Sequence, residues 1–252
     1  MNPLALIITG IRIRYLIRFA NRLCKMHKIV FPYTLTVRDA DVIRDIFFKR
    51  VYASGFPFYQ NCTIIDIGAH KGYFSLFASK NAGPKAIIYS IEPEPSNFNS
   101  LIQNIKANSV NNISAHQGAI SGTTGKQTLY LSDSVNHSLL KVKENHPYIK
   151  QEKSIKVEVF SLKDFLYNNS ISEVEFLKID CEGGEYDILF NTDDQTLSRI
   201  KTIALEFHDL NNSDKNIYTL SRFLFSKGFK HISIEFQDTI MPLNMGIMIL
   251  SK

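Results

Sequence analysis

The chain has 252 residues, 44% of them hydrophobic and 12% aromatic, enough to fill one large core or one domain with an extension. Its three cysteines, Cys24, Cys62 and Cys181, are odd in number and far apart; this argues against a disulfide framework or a Cys-x-x-Cys metal knuckle and points to a reducing, cytoplasmic setting. The net charge of +5 is uneven: residues 1–28 hold six basic side chains and no acid, while the other 224 hold 23 basic and 24 acidic ones, so the body is no basic nucleic-acid-binding surface.

Residues 4–26 read as an amphipathic helix. Leu4, Ile8, Ile11, Tyr15, Phe19, Leu23 and Met26 recur at steps of three or four, opposite a stripe of Arg14, Arg18, Arg22 and Lys25. The uncharged run 3–11 is too short to cross a bilayer and lacks the cleavage site of a signal peptide. Two readings stand for this helix: packing on the domain's own core with solvated arginines, or peripheral docking on an anionic membrane surface. Residues 29–37 read as a strand or hairpin and 40–51 as a short helix. Residues 1–56 thus read as an extension on a main domain of residues 57–252.

From residue 62 onward apolar strands alternate with amphipathic helices, the pattern of a parallel α/β sheet. Strand one is 63–67 with a helix at 73–81. Strand two is 86–92 with a helix at 96–108, and strand three is 113–119. The alternation then breaks. Residues 127–131 and 155–159 read as two inserted strands joined by a polar loop, 132–154. That loop carries Lys141, Lys143, Glu144, His146 and Tyr148 and is a candidate acceptor-binding insertion. Strand four is 176–180, strand five 202–207. A helix at 214–226 leads to 229–236 and 245–250, a closing antiparallel hairpin.

Strand one runs into Asp66-Ile67-Gly68-Ala69-His70-Lys71-Gly72-Tyr73-Phe74-Ser75. A strand–glycine–helix junction presents backbone N–H groups and lets a ligand approach the main chain. A dinucleotide fingerprint would be Gly-x-Gly-x-x-Gly. Here the spacing is Gly-x-x-x-Gly, with Asp66 two residues ahead and no third glycine. That suits a cofactor with a charged amino-acid tail and no phosphate, such as S-adenosylmethionine, with Asp66 reaching its ammonium. The plain alternative is a glycine-hinged turn with no ligand.

Open parallel sheets bind ligands at the carboxyl ends of their strands. Strand one ends in Asp66-Ile67-Gly68, strand two in Glu92-Pro93, strand four in Asp180-Cys181-Glu182-Gly183-Gly184-Glu185, and strand five in Glu206-Phe207-His208. Acids on four neighbouring strand ends repel one another unless a cation or a hydroxyl-rich ligand sits among them. Glu92, 26 residues after Asp66, can accept hydrogen bonds from both ribose hydroxyls.

These residues resemble the FkbM family of S-adenosylmethionine-dependent methyltransferases over about residues 63–208. The carriers are Asp66-x-Gly68-x-x-x-Gly72-Tyr73-Phe74-Ser75, Glu92-Pro93 with Asn97 and Asn104, Gly118-Ala119-Ile120-Ser121, Ser138-Leu139-Leu140, Lys178-Ile179-Asp180-x-Glu182-Gly183-x-Glu185 and Glu206-Phe207-His208. His70-Lys71 and Cys181 depart from the commoner residues. The resemblance implies a class I methyltransferase fold: a mostly parallel, Rossmann-like seven-stranded sheet with helices on both faces and its last strand antiparallel. It also implies O-methylation of a sugar, glycan or natural-product hydroxyl. The expected cofactor residues are Asp66, Gly68, Ala69, His70, Gly72, Phe74, Glu92, Pro93, Gly118, Ala119 and Asp180.

A neutral hydroxyl is a poor nucleophile and needs a base or a metal. His208, with an unperturbed pKa near ~6.5, is the first candidate base, and His137 in the insertion is the second. His116, inside strand three, reads as structural. Asp180, Glu182, Glu185 and Glu206 either bracket acceptor hydroxyls and the cofactor's ammonium, or Asp180 with Glu206 or His208 ligates a hard cation such as Mg²⁺. Glu182 and Glu185 also fit the acid-favouring first turn of a helix. A dehydrogenase would need a dinucleotide fingerprint or a Tyr-x-x-x-Lys pair, and neither occurs. A nucleic-acid amine methyltransferase would place an Asn/Asp-Pro-Pro-aromatic turn after strand four; Asp180-Cys181-Glu182-Gly183 is acidic and lacks proline, so no nucleic acid is expected. The remaining rival is a non-catalytic scaffold that keeps the cofactor pocket.

Overall fold

A computed structural model describes residues 3–58, 62–132, 137–140, 153–208, 213–236 and 245–252, with side chains from Ile11 onward. The expected seven-stranded sheet is present. Its strands are β1 (Thr63–Ile67), β2 (Ile87–Glu92), β3 (Ile113–Gln117), β7 (Val174–Ile179), β8 (Ile200–His208), β9 (Lys230–Phe236) and β10 (Met245–Ser251), in the order β3-β2-β1-β7-β8-β10-β9. The first five in that order run parallel; β10 pairs antiparallel with β8, and β9 with β10. This is the sheet of a class I methyltransferase.

Register places the chemistry. Ile67 lies beside Ile91 and Ile179, and Ile179 beside Leu205. The next residue on each of these strands is therefore on one rim: Gly68, Glu92, Asp180 and Glu206. Below the rim the strands are buried on both faces, as continuous apolar runs require. Ile64, Ile88 and Phe176 join α1 (Pro3–Met26), α2 (Val37–Ile43) and α3 (Tyr73–Ala82) in one core. Ile65, Leu177 and Ile203 join α5 (Leu162–Asn168), α6 (Glu185–Phe190), α7 (Asp194–Ser198) and α8 (Ile217–Ser226) in the other. The remaining helix, α4 (Pro95–Ala107), follows β2.

The insertion forms a second sheet, β4 (Ala119–Ser121), β5 (Gly125–Leu131) and β6 (Lys153–Ser161), ordered β4-β6-β5. The strand expected at 113–119 is thus two strands in two sheets. Gly118, at φ +155°, makes the break, and a Cβ there would press on the Phe160 ring and the Glu158 carbonyl. Residues 133–136 and 141–152, most of the expected acceptor loop, lie outside the described residues.

Two expectations for the N-terminal segment are corrected. Residues 29–37 form no strand: the Asn108 side chain bonds the Val30 N–H and C=O at 2.9 and 2.7 Å, supplying the partner a strand would need. Pro32 lacks the N–H of a ladder. The helix expected at 40–51 starts earlier, because Thr36 and Asp39 form a capping box, and it continues as a π-helical turn, Arg44–Lys49. The stripe expected on α1 also differs. Ala20, Leu23 and Cys24 are its core contacts, with Leu16, Ile17 and Phe19 half-buried, whereas Ile11, Tyr15 and Met26 face outward, and Arg14, Arg18, Arg22 and Lys25, expected opposite them, lie exposed on that same side.

Asp39 ties this segment to the glycine turn. It is buried and accepts hydrogen bonds from Lys71 Nζ (2.8 Å), Tyr73 Oη (2.6 Å) and the Thr36 N–H (2.8 Å). Burial alone would raise its pKa; these donors outweigh that and hold it at about 2. A depressed carboxylate pKa stabilises the fold above the unfolded value and loses that contribution as pH falls through the folded one. Acid unfolding of the wild type should therefore include a loss of about 2 kcal/mol between pH 4 and 2 from this group. Asp39→Asn should be less stable at neutral pH yet show a shallower acid slope; parallel slopes in pH-dependent urea unfolding would contradict the assignment.

Candidate active site

A cavity of about 360 Å³ opens at the rim, within the size range of small-molecule sites. Its apolar lining includes Ile67, Ile91, Ile120, Leu129 and Leu139. Its polar lining includes Glu92 from β2, and Asp180, Glu182 and Glu206 from β7, the turn after it and β8, with β1 between β2 and β7 in the sheet. Of the expected cofactor residues, Gly68, Ala69, His70, Phe74, Glu92, Pro93, Ala119 and Asp180 line it.

Glu92 is held from below. Its Oε2 accepts the His70 N–H at 2.7 Å and its Oε1 the Glu94 N–H at 2.9 Å. Each oxygen retains a lone pair, which suits a vicinal diol. Burial lifts its pKa to about 7 against the pull of these two bonds. The glycine turn is tied to the same strand, since the Gly68 and Ala69 N–H groups both reach the Ile91 carbonyl, at 3.1 and 3.0 Å. His70 lines the cavity as a neutral ring, burial and Lys71 lowering its pKa to about 4.

Three expected cofactor residues do not line the cavity. Gly72 packs on Leu101 at the start of α3, and Gly118 turns the chain between sheets. Asp66 is the more informative correction. It is fully buried beneath the turn, on the face covered by α3, where Ser75 Oγ donates to it at 2.6 Å and Lys178 Nζ lies 3.0 Å away. The register sets Asp66 level with Ser90 and Lys178, two residues before the rim position Gly68, so it shares the face of the rim acids but lies one layer beneath them. Its oxygens lie against Ser75 and Lys178 beneath the turn, not at the cavity wall.

Lys178 is the centre of this network. Only 3% exposed, its Nζ reaches Asp66, Asp180 Oδ2 (3.3 Å) and the Gly68 carbonyl (3.1 Å). Burial would depress its pKa, but the two carboxylates raise it above the ordinary lysine value. It is a fixed cation that neutralises the floor of the rim.

The acidic side chains have their own order. His208 does not line the cavity; it stands behind it. Its Nδ1 meets Glu185 Oε1 at 2.5 Å and its Nε2 lies 3.3 Å from Glu182 Oε2. Burial alone would lower its pKa, but Glu185, Glu182 and Glu206 push it up to about 10. The ring read from sequence as the base therefore keeps its proton at neutral pH. Glu182 and Glu206 do line the cavity. Burial lifts Glu182 to about 7, opposed by His208 and aided by Asp180 and Glu185. Burial and Asp180 lift Glu206 to about 8, against His208. Glu185 opens α6, as the helix dipole favours, but Glu182 precedes the helix in a left-handed conformation (φ +53°). Such strain in a non-glycine residue clusters at functional sites. Ser138 braces the turn by donating to the Glu182 carbonyl at 2.8 Å.

The other histidines have other roles. His137 lines the cavity, but its Nδ1 accepts the Ser132 N–H at 3.2 Å. In the neutral ring the other nitrogen therefore carries the proton. His116 packs between Tyr89 and Phe165, as a structural residue.

The candidate metal set does not fit. Both ring nitrogens of His208 lie against Glu182 and Glu185, behind the cavity, and Lys178 Nζ, 3.3 Å from Asp180 Oδ2, sits where a cation beside Asp180 would be repelled. Among the described residues no three His, Cys, Asp or Glu side chains are arranged to hold a metal ion.

One wall of the cavity was not foreseen from the sequence. Val42, Asp45, Ile46, Val51 and Tyr52, all from the N-terminal segment, line the cavity. Burial and the nearby Asp180, Glu206 and Asp66 carboxylates hold the Tyr52 hydroxyl protonated, well above the ordinary tyrosine value.

Sheet order, glycine turn and the acid at the tip of β2 together define a class I methyltransferase. The profile of the methyltransferase FkbM domain matches residues 66–232, and the chain belongs to that family. It is 29% identical over 225 residues to Methyltransferase 1 of Beauveria bassiana (strain ARSEF 2860), across 83% of this chain and 88% of that one. It is 26% identical over 208 residues to the 31-O-demethyl-FK506 methyltransferase FkbM of Streptomyces tacrolimicus, across 71% and 78% of the two chains. A solved precorrin-6y C5,15-methyltransferase from Geobacter metallireducens aligns over 81% of this chain and 86% of that one, at 15% identity and a TM-score of 0.49.

Proposed function

We propose that the protein is an S-adenosylmethionine-dependent O-methyltransferase acting on a hydroxyl of a sugar, glycan or related natural product. The observation that carries this reading is one cavity lined by the buried Glu92 at the tip of β2 and by Asp180, Glu182 and Glu206 beyond β1 in the sheet. The Streptomyces relative, named for methylation at an oxygen, supports it. Glu92 would hold the ribose, and Gly68, Ala69 and His70 would frame the cofactor's tail. S-adenosylmethionine supplies an electrophilic methyl group, so the chain must orient the acceptor and manage one proton.

The carboxylates divide that work by their proton affinity. Glu206, near 8, keeps a proton at neutral pH and donates a hydrogen bond that orients the acceptor. Glu182, near 7, is partly ionised and faces the cavity, so it takes the hydroxyl proton. His208 is a positioning residue: its imidazolium, fixed by Glu185, holds the Glu182 carboxylate in place. Because the base must be ionised, kcat/KM should rise with pH through about 7.

Incubation with labelled S-adenosylmethionine and a panel of polyhydroxylated acceptors should give products methylated at oxygen. Glu182→Gln should lower turnover about 10²–10⁴-fold, with S-adenosylhomocysteine affinity unchanged. Methylation at nitrogen, or full turnover by a folded Glu182→Gln, would sink this reading. Cofactor binding with no turnover on any acceptor would instead favour the scaffold.

A further inference from the structure

The outer face of α1 is apolar and basic at once, and the fold makes no use of it. Tyr15 and Met26 are 69% and 67% exposed, and Ile11 is 49% exposed. Helical spacing puts Arg14, Arg18, Arg22 and Lys25 on the same side, and all four are exposed. The opposite side of the helix, through Ala20, Leu23 and Cys24, is already buried in the core. Phe48, on the π-helical turn, extends the outer patch. It is exposed, and its ring meets Phe19 edge-on at 5.1 Å. No acid occurs in residues 1–28. Apolar side chains that serve a core would not be left in water beside a row of cations.

We infer that this face docks in the plane of an anionic lipid bilayer. The apolar line would enter the boundary between headgroups and acyl chains, while the long arginine stems let their guanidinium groups remain with the phosphates. A spanning role is excluded for α1, since no helix among the described residues is long and apolar enough to cross a membrane. An acidic protein or nucleic-acid partner would match the cations but would leave Ile11 and Tyr15 unexplained. The inference is independent of the chemistry assigned to the cavity.

The test is co-sedimentation of the full chain with vesicles of phosphatidylcholine, alone or mixed with phosphatidylglycerol. Binding is expected only to the mixed vesicles, and it should weaken with added salt. The double substitution Arg14→Gln and Arg18→Gln should lower partitioning about thirty-fold. Ile11→Asp with Tyr15→Asp should abolish it. All four side chains are exposed, so thermal unfolding should be unchanged and separates lost docking from lost folding. No binding by the wild type, equal binding to neutral vesicles, or retention by either double variant would overturn the inference. So would light scattering that shows the face pairing two copies, with the dimer lost in Ile11→Asp/Tyr15→Asp.

Discussion

Replacing Gly68 by alanine is expected to abolish cofactor binding and to destabilise the fold. Gly68 has φ +73°, and a Cβ there would lie 1.8 Å from the Asp180 carbonyl oxygen, a backbone atom that cannot rotate away. The left-handed conformation alone costs an L-residue about 1–2 kcal/mol. The clash adds a forced separation of β1 from β7 at their tips, where Gly68 and Asp180 sit side by side in the cavity wall. Displacement by about 1 Å at such a site costs on the order of 100-fold. Calorimetry with S-adenosylhomocysteine should show at least that loss. Gly228→Ala is the matched control: its φ is +88° but nothing lies within 4 Å of the added Cβ, so it carries the conformational cost without the collision. Equal effects of the two variants would show that the contact with Asp180 is unimportant.

Lys178→Met is expected to cost about 3–5 kcal/mol of folding stability, the usual result of removing one partner from a buried ion pair. Asp66 would remain fully buried with only Ser75 as a polar partner, and the Gly68 carbonyl would lose its donor. Methionine keeps the stem beside the Tyr52 and Phe74 rings, so the loss reports charge more than volume. Adding Asp66→Asn to Lys178→Met should restore part of the stability, because the uncompensated charge is then gone. Guanidinium unfolding checks both; a loss below about 1 kcal/mol would mean that water reaches Asp66 and relieves it.

The sheet was legible in the sequence because buried parallel strands are short apolar runs that end abruptly. All seven strands of the main sheet fall within a few residues of their expected positions. The acids of the rim were legible for the same reason: Glu92 and Asp180 each follow the last apolar residue of their strand, and Glu206 lies near the end of β8. The depth of Asp66 was the exception. It is also a strand-end acid, yet it stands two residues before the rim, level with Ser90, Lys178 and Ala204, on the same face as Glu92, Asp180 and Glu206 but one layer beneath them. Lys178 carried a usable signal, a lone cation between Leu177 and Ile179, since a lysine enters such a strand only with buried counter-charges. The state of His208 was not legible, because it depends on Glu185 and Glu182 converging from another element. Nor was the wall built by Val42, Ile46 and Tyr52, whose spacing fits a helix on any core. On α1, two apolar lines share one helix, and periodicity favoured the line that turns out to face water.

The π-helical turn Arg44–Lys49 has a practical consequence. On one side Phe47 and Ile46 belong to the same core as Leu23 and Cys24 of α1; on the other, Asp45 and Ile46 form the ceiling of the cleft. A trimmed enzyme beginning after α1 would therefore lose the backing of its own ceiling, and its acceptor preference would drift together with its stability. Engineers who want a different acceptor have the mirror opportunity: resizing Val42 or Val51 reshapes the cleft from above without disturbing the strand tips that carry the acids.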